Sequence, residues 1–202
     1  MIVMREQRTD VNLKRLAKLG KVVTVKPSTF NKSFAQLMRL KEKDVRELGS
    51  GCFASVFANV NDAGFVYKVL WHFDLEPNWN SWDRKNMDGY IMYLRRIAGT
   101  GSEHSMFPRI HGFKVYCNEK TGDCKAIIRM ERLEPLCRDS GDLQSLIDEE
   151  GFQRVKGAFK VTKIYRDLTH RFGYCDDLHR ANVMKRINRD NSVDYVITDP
   201  FC

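Results

Sequence analysis

The chain has 202 residues, enough for one substantial domain or two small lobes, and its 43% hydrophobic and 11% aromatic content excludes a disordered tail or linker. A net charge of +8, from 34 basic and 26 acidic residues, favours acidic partners such as nucleotides, nucleic acid or an acidic protein surface, with a plain solvated basic face as the simpler alternative. Six cysteines without a CxxC pair do not make the framework of a small secreted domain; with no apolar signal region in MIVMREQRTD and no membrane-length apolar run, the expectation is a reducing cytoplasm and no membrane.

Residues 1–43 read as a basic N-terminal extension. Within it VNLKRLAKLG predicts a short helix ended by Gly20, KVVTV a short strand, and SFAQLMRL a helix with Phe34, Leu37 and Met38 on one face. From Asp44 the character changes: DVRELGSGCFASVFANV reads as strand, glycine-rich turn, strand. NDAG, Asn61 to Gly64, predicts a hairpin turn because Asn, Asp and Gly tolerate positive φ, and FVYKVLW a third strand. Tyr90, Ile91, Leu94 and Ile97 recur at helical spacing, so Asp83 to Ile97 is expected to be helical. HGFKVYC and CKAIIRMERL, joined by NEKTGD, predict two further antiparallel strands. Cys117 and Cys124 can face each other there, a spacing that by itself specifies neither zinc nor a bridge. GDLQSLIDEE and VKGAFKVTKIYRDLTHRF predict two helices, and NVMKRI and DYVITD, joined by NRDNS, a closing hairpin. The expected fold class is α+β with two unequal lobes: a five-stranded antiparallel sheet plus one helix over 44–133, and a small helical part with the hairpin over 134–202.

Four fragments carry candidate chemistry. In LGSGCFASVF, Gly49 and Gly51 let the backbone turn and approach a ligand, and exposed N–H groups of such a turn attract phosphate oxygens. A lone GxG is a weak signal; here a strand flanks it on each side, with Phe53 and Val56 near the turn. Lys68, on the strand after the hairpin, has an ammonium that can reach the same phosphates, although a strand lysine is ordinarily a solvent-facing one. IIRMERL runs through Met130 and Glu131 to Leu133, and alone it reads as an ordinary strand end. YCDDLHRANVMKR with VITDP is the most specific: Asn182 and Asp199 can supply two hard oxygen ligands for Mg²⁺, and Asp177 can accept a proton from an attacking hydroxyl. His179 inside this loop reads as a structural hydrogen-bonder.

Taken in order, these residues resemble the protein-kinase superfamily, whose signature is GxGxxGxV, a strand lysine, a catalytic-loop Asp with Asn five residues later, and a metal-binding Asp. The resemblance runs from Asp44 to the chain end and is most similar to the early serine/threonine protein kinases of lytic T7-like podophages. It implies a bilobal kinase-like fold with a strongly reduced helical C-lobe, ATP and Mg²⁺ as cofactors, Asp177 and Lys68 as catalytic residues, and Asn182 and Asp199 as metal ligands. It further implies nucleotide contacts from Gly49, Ser50, Gly51, Phe53, Val56, Lys68, Met130, Glu131 and Leu133, with Met130 as gatekeeper and Glu131 opening the adenine-binding segment. The implied partners are host proteins of the transcription or RNA-processing machinery (RNA polymerase or RNases) in the host cytoplasm, with autophosphorylation and nucleic-acid binding as further options.

Several positions depart from that pattern. The third glycine is Ala54, Cys175-Asp176 precedes Asp177, Pro200 follows Asp199, and no glutamate lies between Asp83 and Ile97, leaving Asp88 as the acidic candidate to pair with Lys68. Two other functions fit the same residues: a host-directed binding protein on a kinase scaffold, with the basic N-terminal residues as contact, and a small-molecule kinase, suggested by the Asp-Leu-His loop.

Overall fold

The structure, a computed structural model, describes residues 21–51, 54–73, 89–94, 96–97, 104–136, 143–171 and 173–201. The helix expected in VNLKRLAKLG, together with Phe53 and Asp88, lies outside the described residues. The described residues form two compact units, one of 21–73 and 110–132, the other from 89–109 and 133–201. The stretch 89–109, expected with the first lobe, thus groups with the second unit.

In the first unit, β1 (Lys21–Val25), β2 (Val45–Ser50), β3 (Ala54–Asn59), β4 (Phe65–Phe73), β5 (Ile110–Asn118) and β6 (Cys124–Glu131) build one sheet in the order β1-β5-β6-β4-β3-β2. The expected antiparallel sheet of five strands is therefore corrected to a mixed sheet of six. The additional strand is the β-branched KVVTV segment, which satisfies its backbone along the edge of β5, parallel to it, with Lys21 opposite Lys114 and Val25 opposite Asn118. A parallel neighbour requires a long crossover, and the intervening chain supplies one.

Residues 21–43 are correspondingly no mere extension. Two short helices, α1 (Pro27–Phe30) and α2 (Phe34–Met38), follow β1. A capping box starts α2: the Ser33 hydroxyl accepts the Gln36 backbone N–H, and the Gln36 side chain accepts the Ser33 N–H at 3.1 Å. Arg39, left-handed at φ 58°, ends it. Phe30, Phe34 and Leu37 are buried against Tyr67, Val69, Tyr116 and Ile127 of the sheet. The Phe34 ring stacks on Phe57 at 4.8 Å and tilts against Tyr67 at 5.3 Å. Lys125 is buried beside them, donating to the Phe30 carbonyl at 2.8 Å with its ammonium over the Phe30 and Trp71 rings; burial pushes its pKa down. The NDAG turn is pinned by Asp62, which accepts from the Tyr67 hydroxyl at 2.7 Å and from Arg129 at 3.0 and 3.1 Å. Those two donors, Tyr67 foremost, hold its carboxyl below the usual range.

In the second unit, residues 89–94 and 96–97 form helix α3. A three-stranded sheet has the order β7-β8-β9, from β7 (Glu134–Pro135), β8 (Val183–Ile187) and β9 (Val193–Ile197). The two helices expected between them are redistributed. One continuous helix, α4 (Leu143–Lys160), runs through the stretch 151–154 where a break was expected. The chain then turns at Thr162, whose hydroxyl caps α5 (Lys163–Arg166), and continues into a π-helical turn, Asp167–Arg171. Gly151 lies mid-helix because the Tyr195 ring rests where its Cβ would be. The Tyr195 hydroxyl donates to the Ile147 carbonyl at 3.2 Å and meets Asp148 at 3.3 Å. Asp148, with its side chain 0% exposed, also binds Lys185 at 3.1 Å, so α4 is bolted to the hairpin.

The core of this unit is aromatic. Tyr93 of α3 lies within 6.1–6.2 Å, ring to ring, of Phe107, Phe159 and Phe201, and its hydroxyl donates to the Ile197 carbonyl at 2.7 Å. Arg186 of β8 donates to the carbonyls of Ser105 and Phe107 at 2.7 and 2.8 Å and pairs with Asp194 at 3.2 Å.

Two substitutions check these packing assignments. Phe34→Ala is expected to destabilise the protein by about 3–5 kcal/mol, as for a buried aromatic truncation, measured by chemical denaturation; an unchanged midpoint would return residues 21–43 to the status of an appendage. Gly151→Ala is expected to cost about 1–3 kcal/mol through overpacking on Tyr195, although alanine is the better helix former. A more stable Gly151→Ala protein would refute that contact.

Candidate active site

The site residues fall into two sets, one in each unit. In the first unit the sheet register aligns them. Residues directly opposite in an antiparallel pair share a face. Gly49 lies opposite Val56, Val56 opposite Lys68, and Lys68 opposite Ile128. Met130, two residues beyond Ile128 and paired with Val66, is on the same face by strand alternation. Gly49, Val56, Lys68 and Met130 thus share one surface, while Tyr67 and Val69 point to the opposite, helix-covered one. Lys68 is half-buried.

The Ser50 side chain lies on the other face. It is opposite Ser55, one step out of phase with Lys68, and its hydroxyl bonds Ser55 at 2.8 Å, with the Trp71 indole N–H also on Ser55 at 3.2 Å. The backbone of Ser50 still belongs to the turn, which Gly51 N–H closes on the Ala54 carbonyl at 2.8 Å. A Cβ on Gly49 would meet nothing within 4 Å, and on Gly51 only the Ala54 oxygen at 3.9 Å. Among the described residues, then, packing does not demand glycine at either position. Glu131 ends β6 opposite Phe65, on the face away from Met130. Leu133 is buried and begins the second part of the other unit, so the division of the chain falls at 132–133, next to the segment expected to bind adenine.

In the second unit, Asp177, Asn182 and Asp199 are enclosed between two backbone pairings. At one end Thr198 N–H and hydroxyl both donate to the Asn182 carbonyl, at 2.8 and 3.0 Å, continuing the β8–β9 ladder. At the other, Asp177 N–H donates to the Pro200 carbonyl at 2.8 Å and Asp176 forms an antiparallel bridge with Phe201. Between these ties the loop makes a 3₁₀ turn, Arg180–Asn182, capped by His179, whose Nδ1 accepts the Ala181 N–H at 3.2 Å. With Nδ1 accepting, the ring proton resides on Nε2, which faces Asp177 Oδ1 at 3.5 Å. His179 is a loop-shaping residue.

Asp177 and Asn182 meet directly. The Asn182 amide nitrogen donates to the Asp177 carbonyl at 2.8 Å and to its carboxylate Oδ2 at 3.1 Å. Its two hydrogens are thereby used, so the nearby His179 Nε2 at 3.0 Å is a contact between two nitrogen donors. The same arrangement turns Asn182 Oδ1 away from these acceptors, and among the described residues no hydrogen bond reaches it. Asp177, 42% exposed, remains open to a reactant. The Asp199 carboxylate is half-buried, and after burial itself it is a cause of the Tyr90 hydroxyl being pushed well above the usual phenol range. Among the described residues no group of three His, Cys, Asp or Glu side chains converges as a metal cluster. The Asp199 carboxylate and the Asn182 amide oxygen are hard oxygen donors, the kind Mg²⁺ takes beside substrate phosphates.

Asp176, the residue out of pattern, has a structural partner set that sequence spacing does not reveal. Its Oδ2 accepts from the Tyr165 hydroxyl at 2.6 Å and from Lys160 at 3.2 Å, tying the loop to the end of α4 and to α5. The Tyr165 bond first, and Lys160 next, hold the Asp176 carboxyl below its ordinary value. Burial, then Asp176, raise Tyr165 to about 12. Neither Lys160 nor Tyr165 carries a motif; an unexplained acidic residue beside the candidate base was the only available sign.

These shifts have opposite pH consequences. Asp176 has a depressed pKa, so its contribution to stability is present above the unfolded value of about 3.9 and is lost as pH falls through the lower folded value. Tyr165 has a raised pKa, so its contribution is present below the ordinary value of 10.0 and is lost as pH rises toward about 12. Tyr165→Phe is expected to lower stability at neutral pH and to reduce the loss between those two alkaline values; thermal melts of both proteins across that window check it. Parallel stability curves would show that Tyr165 does not titrate against Asp176. No protein-family model and no curated protein matches this chain, so the reading of the site rests on its geometry.

Proposed function

We propose that the protein is an ATP- and Mg²⁺-dependent phosphotransferase of the protein-kinase kind, acting on serine or threonine hydroxyls of other proteins. The observation that carries this reading is the loop in which Asn182 holds the Asp177 carbonyl and carboxylate at 2.8 and 3.1 Å while Asp199 lies on the strip paired to both ends of that loop. A loop fixed in this way has a carboxylate exposed to accept a proton and two separate oxygen donors beside it. The shared face of Gly49, Val56, Lys68 and Met130, with no packing demand for glycine at the turn, supports a nucleotide surface in the other unit.

Phosphoryl transfer asks mainly for positioning and charge neutralisation. Asp177 orients the incoming hydroxyl and accepts its proton, and Asn182 keeps that carboxylate from rotating. Lys68 and the backbone of the Gly49–Gly51 turn bind phosphate oxygens, while Val56 and Met130 supply apolar contact for the base. Asn182 Oδ1 and the Asp199 carboxylate would hold Mg²⁺, which when bound neutralises charge on the transferring phosphate. Asp176, already bonded to Tyr165 and Lys160, acts as anchor and not as base.

The test is incubation with Mg·ATP, alone and with a cell lysate, followed by intact-protein and phosphopeptide mass spectrometry. Phosphate is expected on protein serine or threonine. Asp199→Ala is expected to abolish transfer in a folded protein, and Asp177→Asn to retain nucleotide binding while turnover drops by about 10²–10⁴-fold. Full transfer by Asp199→Ala would overturn the proposal. Partner capture without any phosphate transfer by the unaltered chain would favour a binding protein instead.

A further inference from the structure

Cys117 ends the β5 side of the β5–β6 hairpin and Cys124 opens β6 directly opposite it. Their Sγ atoms lie 2.6 Å apart, with no disulfide joining them. Asn118 N–H donates to the Asp123 carbonyl at 2.8 Å, so residues 118 and 123 form a hydrogen-bonded pair. The neighbouring pair, 117 and 124, is then of the non-hydrogen-bonded kind, in which Cα atoms are about 4.5 Å apart and side chains approach more closely. That separation lies within the roughly 4.4–6.8 Å that a disulfide spans, so a bond requires no exchange of strand register.

We propose that Cys117 and Cys124 are a reversible two-electron redox site, oxidised by a small hydroperoxide to an intramolecular disulfide and reopened by a dithiol. Access selects the oxidant: Cys117 is 7% exposed and Cys124 0%, which suits hydrogen peroxide better than a bulky disulfide. Access also sets the order. The Cys117 thiolate attacks peroxide, breaking the O–O bond, forming a sulfenic acid and releasing hydroxide, which takes up a proton as water. The Cys124 sulfur then attacks the Cys117 sulfur, forming the S–S bond and releasing the sulfenic oxygen as a second water once it has taken up the Cys124 proton. In total two thiols and one hydrogen peroxide give one disulfide and two waters. The hydrogen bond between the sulfurs favours this direction, since it holds the Cys117 thiol below its ordinary range against the opposing effect of burial.

The bond would brace four strands at once. Cys117 is opposite Thr24 of β1 on its other side, and Cys124 is opposite Phe73 of β4. The proposal does not rest on phosphotransfer, since neither cysteine is among the residues assigned to that reaction.

The experiment treats the full chain, in a Cys175→Ser background that removes the cysteine exposed among the described residues, with hydrogen peroxide, blocks remaining thiols by alkylation, and maps it with trypsin without reduction. Cleavage after Lys114, Lys120 and Lys125 places the two cysteines on separate peptides, VYCNEK and TGDCK. The expected result is a linked VYCNEK–TGDCK species lighter than the two free peptides by two hydrogens, reverting to both on dithiothreitol. A Cys124→Ser chain should instead stop at the sulfenic acid and show increased dimedone labelling at Cys117. Recovery of both peptides separately alkylated, linkage of Cys117 to another cysteine, or equal dimedone labelling with and without Cys124 would overturn the proposal.

Discussion

Burial of Phe201 is the constraint on which the second unit depends. Its ring packs among Tyr93, Phe159 and Tyr165, and its backbone bridges Asp176. A side chain of this size removed from water contributes on the order of 2–3 kcal/mol. Here that contribution also fixes the backbone on either side of Pro200. Pro200 carries no N–H, and its carbonyl accepts from Asp177. With Phe201 held in the core and Thr198 bonded to Asn182, the Asp199 stretch is fastened at both ends. The conformational entropy of the loop 177–182 is thus met by apolar packing at a distance from the polar side chains themselves.

Asp176 and Asp177 show how adjacent identical side chains take different roles. One has its Oδ2 bonded by the Tyr165 hydroxyl and Lys160, which stabilise its charge; the other, among the described residues, meets the Asn182 amide and the His179 ring edge. The two neighbours thus differ in what holds them: Asp176 is tied to α4 and α5, Asp177 to its own loop.

The first unit is organised differently, by strand register. A one-residue slip would carry Lys68 to the helix-covered face and put Tyr67 in its place. The slip is opposed by the Phe34–Phe57–Tyr67 stack and by Asp62, which ties Tyr67 and Arg129 at the β3–β4 turn. The basic residues of 21–43 conceal this role. Their charge suggests a solvated arm, yet Phe30, Phe34 and Leu37 recur at the spacing that lets two short helices close the sheet.

Local pattern determined much of the architecture: alternating strands, the NDAG and NRDNS turns, the Ser33 cap and the i, i+5 relation of Asp177 to Asn182 follow from residues within a few positions of one another. Opposite pairing in the β5–β6 hairpin likewise followed from a short turn, and with it the facing of Cys117 and Cys124. The continuity of α4 through Gly151 did not follow, because the reason for that glycine is a tyrosine ring forty-odd residues away. Nor did the parallel place of β1 or the partners of Asp176, which depend on contacts between segments far apart in the chain. Short-range hydrogen bonds and side-chain periodicity are written along a sequence in order; the packing of distant apolar surfaces, which chooses among the arrangements they allow, exists only once the chain has folded.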